Sequence, residues 1–142
     1  MKILVSACLL GFPCRYDGKS VPCESVAALS KKHTLIPFCP EIYGGLPTPR
    51  TPSERVGGRV MMKSGEDVTE NYLRGAREAL RAYRFFSCGC AILKEKSPSC
   101  GCGKIYDGTF TGTITQGNGV TAELFIKEGI TVFGESETEK IL

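Results

Sequence analysis

The chain has 142 residues, 42% hydrophobic and 23% charged, which suits one globular domain, residues 1–142, with apolar material for a single core and little for a second. Its formal charge of +3 is spread along the chain and not gathered in a block, which excludes a nucleic-acid-binding tract but suits a small acidic or phosphorylated ligand. No apolar run approaches the roughly 18 residues of a membrane span, and the seven residues before Cys8 are too few for a signal segment, so a soluble protein in the reducing cytoplasm is expected.

Lys2 to Val5 is a short apolar run that opens onto small residues, and Thr34 to Phe38 is another, closed by Cys39-Pro40. Both read as buried strands. Between them Glu24 to Lys32 sets Val26, Ala27, Ala28 and Leu29 in a polar frame, a short helix, so the chain opens with a β-α-β unit. From Tyr43 to Gly65 the chain is rich in Gly, Pro and Arg, and Leu46 to Pro52 cannot enter a helix interior; a long ordered loop or lid is expected. Asp67 and Glu70 then form a capping pair for a helix whose apolar stripe is Val68, Tyr72, Ala76, Ala79, Leu80 and Tyr83.

Cys90 to Leu93 reads as a third buried strand, followed by a turn-rich stretch from Lys94 to Gly103 and a hairpin about Asp107-Gly108. Asn118 to Glu128 forms a last helix stopped by Gly129, and Ile130 to Phe133 a last strand. Strands alternating with helices imply an α/β fold: a small, doubly wound, mainly parallel sheet with helices on both faces, Rossmann-like, plus a hairpin insertion. Such sheets bind ligands at the carboxyl ends of their strands, where the strand order reverses.

Eight cysteines in a reducing compartment point to metal ligands or reactive thiols ahead of a disulfide framework, although free cysteine also fills cores. Cys8 follows the first strand, Cys39 ends the second and Cys100 lies in the loop after the third, which puts all three at one sheet edge. Cys88 and Cys90 enter the third strand from its opposite end and read as packing, as does Cys23 beside a helix. Cys14 and Cys102, in loops near the proposed site, stay open between ligand, redox partner and filler. His33, the single histidine, starts the second strand, which places it at the wrong edge for a His-bearing zinc site or a His-assisted triad. There is also no CxxC pair.

Three thiolates fit a [4Fe-4S] cluster with one iron free of protein ligands and able to act as a Lewis acid. Two other readings remain open. One is a non-catalytic iron-sulfur carrier or metal-binding module. The other is a phosphatase-like or arsenate-reductase-like enzyme in which Cys8 and Arg15 cradle an oxyanion, although Tyr16 stands where Ser or Thr would follow and the spacing is one residue too long.

Taken together, Val5-Ser6-Ala7-Cys8-Leu9-Leu10-Gly11, Cys14-Arg15-Tyr16-Asp17-Gly18, Cys39-Pro40-Glu41, Gly44-Gly45-Leu46-Pro47-Thr48-Pro49-Arg50 and Lys96-Ser97-Pro98-Ser99-Cys100-Gly101 resemble the bacterial thiouracil desulfidase family. The resemblance implies a [4Fe-4S] cluster on Cys8, Cys39 and Cys100 and non-redox removal of sulfur from thiouracil. It also points to Glu41, two residues after a ligand cysteine, as an acid or base; the alternative is a carboxylate paired with Arg15 or Arg50. Ser97 is expected to relay a proton or hydrogen-bond substrate, against the alternative of a turn or cap hydroxyl. Arg15 and Arg50 bind substrate or offset cluster charge, or else fasten loops through Asp17 or Glu54. Gly44 and Gly45 serve the backbone. Longer relatives carry a second domain and act on thiolated tRNA, so for this chain a free thiolated base or nucleoside is expected in place of nucleic acid.

Overall fold

The computed structural model describes residues 1–141. In chain order the elements are β1 (Lys2–Ser6), α1 (Glu24–Ala27), β2 (Thr34–Phe38), α2 (Pro40–Tyr43), β3 (Ser53–Val56), β4 (Arg59–Met62), α3 (Thr69–Phe85), β5 (Cys90–Ile92), β6 (Lys104–Tyr106), β7 (Ile114–Gln116), α4 (Val120–Lys127) and β8 (Val132–Phe133). Short 3-10 helices cover Ala7–Leu10, Ala28–Lys31 and Glu135–Lys140.

Four strands form a parallel sheet in the order β2-β1-β5-β8. Alternation along β1 sends Leu4 to one face and Ile3 and Val5 to the other. Leu4, Ala91 and Leu93 pack with Ala79 and Leu80 of α3 and with Ala122 and Phe125 of α4. On the opposite face Ile3, Val5, Cys90 and Ile92 meet Leu9, Val26 and Ile141. A sheet buried on both sides explains why its central strands read as unbroken apolar runs. From β1 the order steps to β2 on one side and to β5 on the other, so a crevice opens at the carboxyl ends of these strands. The expected doubly wound α/β architecture is therefore present.

Local differences have physical causes. The segment expected to be a long loop or lid contains the antiparallel hairpin β3–β4, with Val56 paired to Arg59 across Gly57-Gly58. Val60 and Met62 of β4 bury against Val68, Tyr72 and Ala76, so the hairpin owes its order to α3. The second hairpin, β6–β7, is joined by residues 107–113 and not by a tight Asp107-Gly108 turn, because the Asp107 carboxylate turns inward to accept from the Thr109 N–H (3.0 Å) and hydroxyl (2.6 Å).

The expected capping pair at α3 is half realised. Asp67 accepts from the Thr69 backbone at 2.9 Å, whereas Glu70 points to solvent. The helix expected from Glu24 to Lys32 tightens into its 3-10 turn at Ala28, and the last strand starts at Val132 instead of Ile130.

Candidate functional site

A cavity of about 500 Å³ lies in the crevice beyond the carboxyl ends of β1, β2 and β5. Cys8, Cys39 and Cys100 all line it, together with Glu41, Ser97, Arg15 and Arg50. The seven residues that the sequence offers as ligands, catalytic groups or substrate contacts thus reach one cavity. Of the two cysteines left open, Cys14 lines the cavity, and Cys102 packs against the α3–α4 core.

Each cysteine is held by its own local device. Cys8 sits in the 3-10 turn that continues β1. Cys39 is the extended residue between β2 and α2, and α2 presses so closely on α3 that a Cβ at Gly75 would overlap the Pro40 carbonyl and one at Gly44 the Asn71 carbonyl. The Asn71 side-chain amide donates to the Gly44 carbonyl at 2.9 Å and fastens the pair. The Cys100 turn is tied to the start of α4, where the Val120 and Thr121 N–H groups donate to the Pro98 and Ser99 carbonyls at 2.9 and 2.8 Å. Gly119 permits this approach, since a Cβ there would strike the Ser99 carbonyl.

The thiols face a poorly hydrated interior. Burial pushes the Cys100 thiol, 5% exposed, up to about 12, with the Ser6 hydroxyl opposing. The Cys39 thiol reaches the Cys14 carbonyl oxygen at 3.9 Å and is raised by its contact with Cys14 and by burial. Cys14 is lowered by Cys39 but raised more by Cys8 and by burial, to about 11. Without a metal these three groups are neutral thiols at physiological pH, and loading a metal on any of them releases a proton.

Glu41 accepts two hydrogen bonds on one oxygen: Oε1 takes the Arg50 Nε–H at 3.0 Å and the Tyr72 hydroxyl at 2.8 Å. Among the described residues Oε2 has no partner. The pairing of Glu41 with Arg50, one of the two alternatives for this carboxylate, is therefore real, and Glu41 lines the cavity as well. Arg50, with its side chain 3% exposed, also donates to the Cys14 and Pro47 carbonyls and to the Thr48 hydroxyl, at 2.9, 3.2 and 3.1 Å. Four of its five N–H groups are thus engaged within the protein.

Arg15 is the freer cation, 4.0 Å from Asp17 and 5.5 Å from the centroid of the Tyr16 ring. The Ser97 hydroxyl oxygen accepts from the Ser99 and Cys100 N–H groups, both at 3.1 Å. It is a turn cap, as the alternative held, and its own hydrogen remains to be donated.

Outside the cavity, Cys90 and Cys88 pack in the cores on either side of the sheet, and the Cys23 thiol lies 3.3 Å from the Ser25 hydroxyl. His33 meets the terminal amine of Met1 at 3.1 Å, at the amino end of β2 and away from the cavity.

Sequence reasoning missed the far wall of the cavity. Ser53 and Glu54 of β3, Lys63, Tyr106 and Phe110 line it, and the Glu54 carboxylate fastens the two hairpins by accepting from the Gly108 and Phe110 N–H groups at 2.9 and 3.1 Å. Gly57-Gly58 between short apolar runs was the available hairpin signal. Tyr72 was visible only as part of an apolar stripe, although a buried tyrosine hydroxyl needs a partner.

A family model described as 2-thiouracil desulfurase matches residues 3–137. The uncharacterized protein YbbK of Bacillus subtilis (strain 168) is 43% identical over 150 residues, covering 99% of both chains. A solved structure, the [4Fe-4S]-dependent thiouracil desulfidase TudS, superposes with a TM-score of 0.92 at 47% identity, covering 99% of this chain and 94% of that one. The family match covers nearly the whole chain, and this chain belongs to the 2-thiouracil desulfurase family.

Proposed function

We propose that the cavity is the active site of a [4Fe-4S]-dependent desulfidase that converts thiouracil, or a related small thiolated base or nucleoside, and water into the oxo base and hydrogen sulfide. One observation carries this reading: thiols from three separate strand-end turns line the same cavity as a carboxylate with a free oxygen. Cys8, Cys39 and Cys100 present an all-sulfur donor set to that cavity, which suits an iron-sulfur cluster.

Cys8, Cys39 and Cys100 would hold the cluster. When bound, it supplies an iron without a protein ligand, a Lewis acid suited to a soft thiocarbonyl sulfur. The protein does the rest. Glu41 offers Oε2 to a water in the cavity and takes its proton as that water adds to the ring carbon. Ser97, whose oxygen is occupied by two backbone donors, directs its O–H into the cavity, gives that proton to the departing sulfur and recovers the one Glu41 took, so both groups return to their starting states. The oxygen of water replaces sulfur, its two protons leave as hydrogen sulfide, and no electron is exchanged.

Tyr16, Tyr106 and Phe110 provide apolar walls for a flat ring. Arg15 is free to reach polar atoms of the substrate from the rim. Arg50 has a single Nη2 hydrogen left for that purpose and mainly holds Glu41 and the Cys14 carbonyl in place. No helix among the described residues is long and apolar enough to cross a membrane, and a site built on reduced thiols suits the reducing cytoplasm.

Anaerobic reconstitution with iron and sulfide should give a brown protein. Mixed with 2-thiouracil or 4-thiouracil, it should bleach the thiocarbonyl absorbance and release one sulfide per oxo base. A loaded protein that turns over neither compound, and instead passes its cluster to an acceptor, would establish the carrier reading in its place.

A further inference from the structure

Tyr72 is 2% exposed and belongs to the cluster in which α3 packs against the β3–β4 hairpin, yet it also lines the cavity and its hydroxyl donates to Glu41 at 2.8 Å. We propose that Tyr72 is the positioning residue of the active site: with Arg50 it pins one oxygen of Glu41, so that the other is the oxygen presented to substrate water. This inference rests on the desulfidase reading of the cavity and assigns a task to a residue that reads in sequence only as core.

A carboxylate rotates readily about its last torsion, which is broad and roughly two-fold, so a single donor does not decide which oxygen faces a ligand. Here two donors converge on Oε1 from different directions. Arg50 approaches from the loop after α2 and is itself fixed by the Cys14 and Pro47 carbonyls and the Thr48 hydroxyl. Tyr72 approaches from α3. Turning the plane of the carboxylate out of this position would leave both donors unpaired. In a buried wall an unpaired donor carries the full penalty of its lost hydration. The carboxylate is therefore held in one orientation before substrate arrives, the arrangement that proton transfer to a positioned group requires.

The chemistry of the phenol suits the task. Burial and the adjacent Glu41 charge both push the Tyr72 hydroxyl above its ordinary range, so it stays a donor at any working pH. Phenylalanine would keep the ring contacts with Val60, Met62 and Ala76 and remove only the donor. That makes Tyr72→Phe the diagnostic change.

In the cluster-loaded enzyme turning over 2-thiouracil, Tyr72→Phe should lower kcat roughly ten- to a hundredfold with KM within about twofold, and iron content should be unchanged. In a Glu41→Gln background the same change should have no further effect, because Tyr72 acts through Glu41. An unchanged kcat, a rise in KM alone, or full additivity with Glu41→Gln would each overturn the proposal. A second arm needs neither cluster nor turnover: in cluster-free protein carrying carbon-13 glutamate, the infrared band assigned to Glu41 by difference against Glu41→Gln should shift or broaden in Tyr72→Phe. A coincident band would overturn the proposal. If the unaltered enzyme fails to act on any thiouracil, the function is wrong, and the infrared arm still decides whether Tyr72 orients Glu41.

Discussion

Three of the eight cysteines are expected to hold the cluster, and their environments separate them from Cys88 and Cys90. Cys8, Cys39 and Cys100 line the cavity, whereas Cys88 and Cys90 lie in the packed cores on the two faces of the sheet. Alanine at any of the first three should therefore abolish the brown colour and the bound iron after anaerobic reconstitution. Cys88→Ala should retain both, with iron content by colorimetry as the measurement.

Much of this division was legible in the chain, because a cysteine just after a buried parallel strand has only one sheet edge on which to stand. Cys14 was not. It is carried by a loop, and its contact with Cys8 and Cys39 depends on how the loop folds back over the cavity under the pull of Arg50 on its carbonyl. The same holds for Glu41. Its pairing with Arg50 was one of two arginine partners the chain offered, but the hydroxyl of Tyr72 joins it from 31 residues away.

At the scale of the elements, the site depends on two places where backbone meets backbone. Gly44 and Gly75 let α2 settle on α3, and with it Cys39 and Glu41. A methyl group at either position would have to displace a carbonyl of the neighbouring helix, so Gly75→Ala and Gly44→Ala should each destabilise by about 1–3 kcal/mol and reduce iron retention. Gly58→Ala, in open space at the tip of the first hairpin, should stay within about 0.5 kcal/mol of the parent. Urea unfolding of the cluster-free proteins, with iron content after loading, tests the contrast.

The hairpins show where element-level reading stopped. β3 and β4 have four residues each and follow a proline-rich run. Their propensity alone is weak, and two strands are at best marginal in water. They are ordered because β4 buries Val60 and Met62 on α3 and because Glu54 ties β3 to the second hairpin. A seventeen-residue helix with a continuous stripe, by contrast, declares itself locally.

For the molecule as a whole, the buried thiols couple stability to pH. Cys14 and Cys100 have an ordinary value of 9.0 and are raised in the fold to about 11 and about 12. Between those limits the unfolded chain has released protons that the native protein retains, so stability falls as pH rises. It is fully present below about pH 9 and is lost as the pH passes through the raised values. Cluster-free protein under reductant should show a lower urea midpoint at pH 10.5 than at pH 8, and the drop should shrink in Cys14→Ala.

The chain alone points to the parallel sheet, the edge that carries the candidate site, the three candidate ligands and the carboxylate beside them. Each follows from a local signal: a continuous apolar run, a helical stripe, or a residue placed just beyond a strand. The tertiary structure decided what those residues touch. It put Cys14 among the thiols, turned Arg50 into a brace for Glu41, raised two hairpins as the far wall, and brought Tyr72 from the core to the carboxylate. Those contacts join residues distant in the chain, and burial, hydrogen-bond partnering and proton affinity are properties of the packed neighbourhood, which no local pattern encodes.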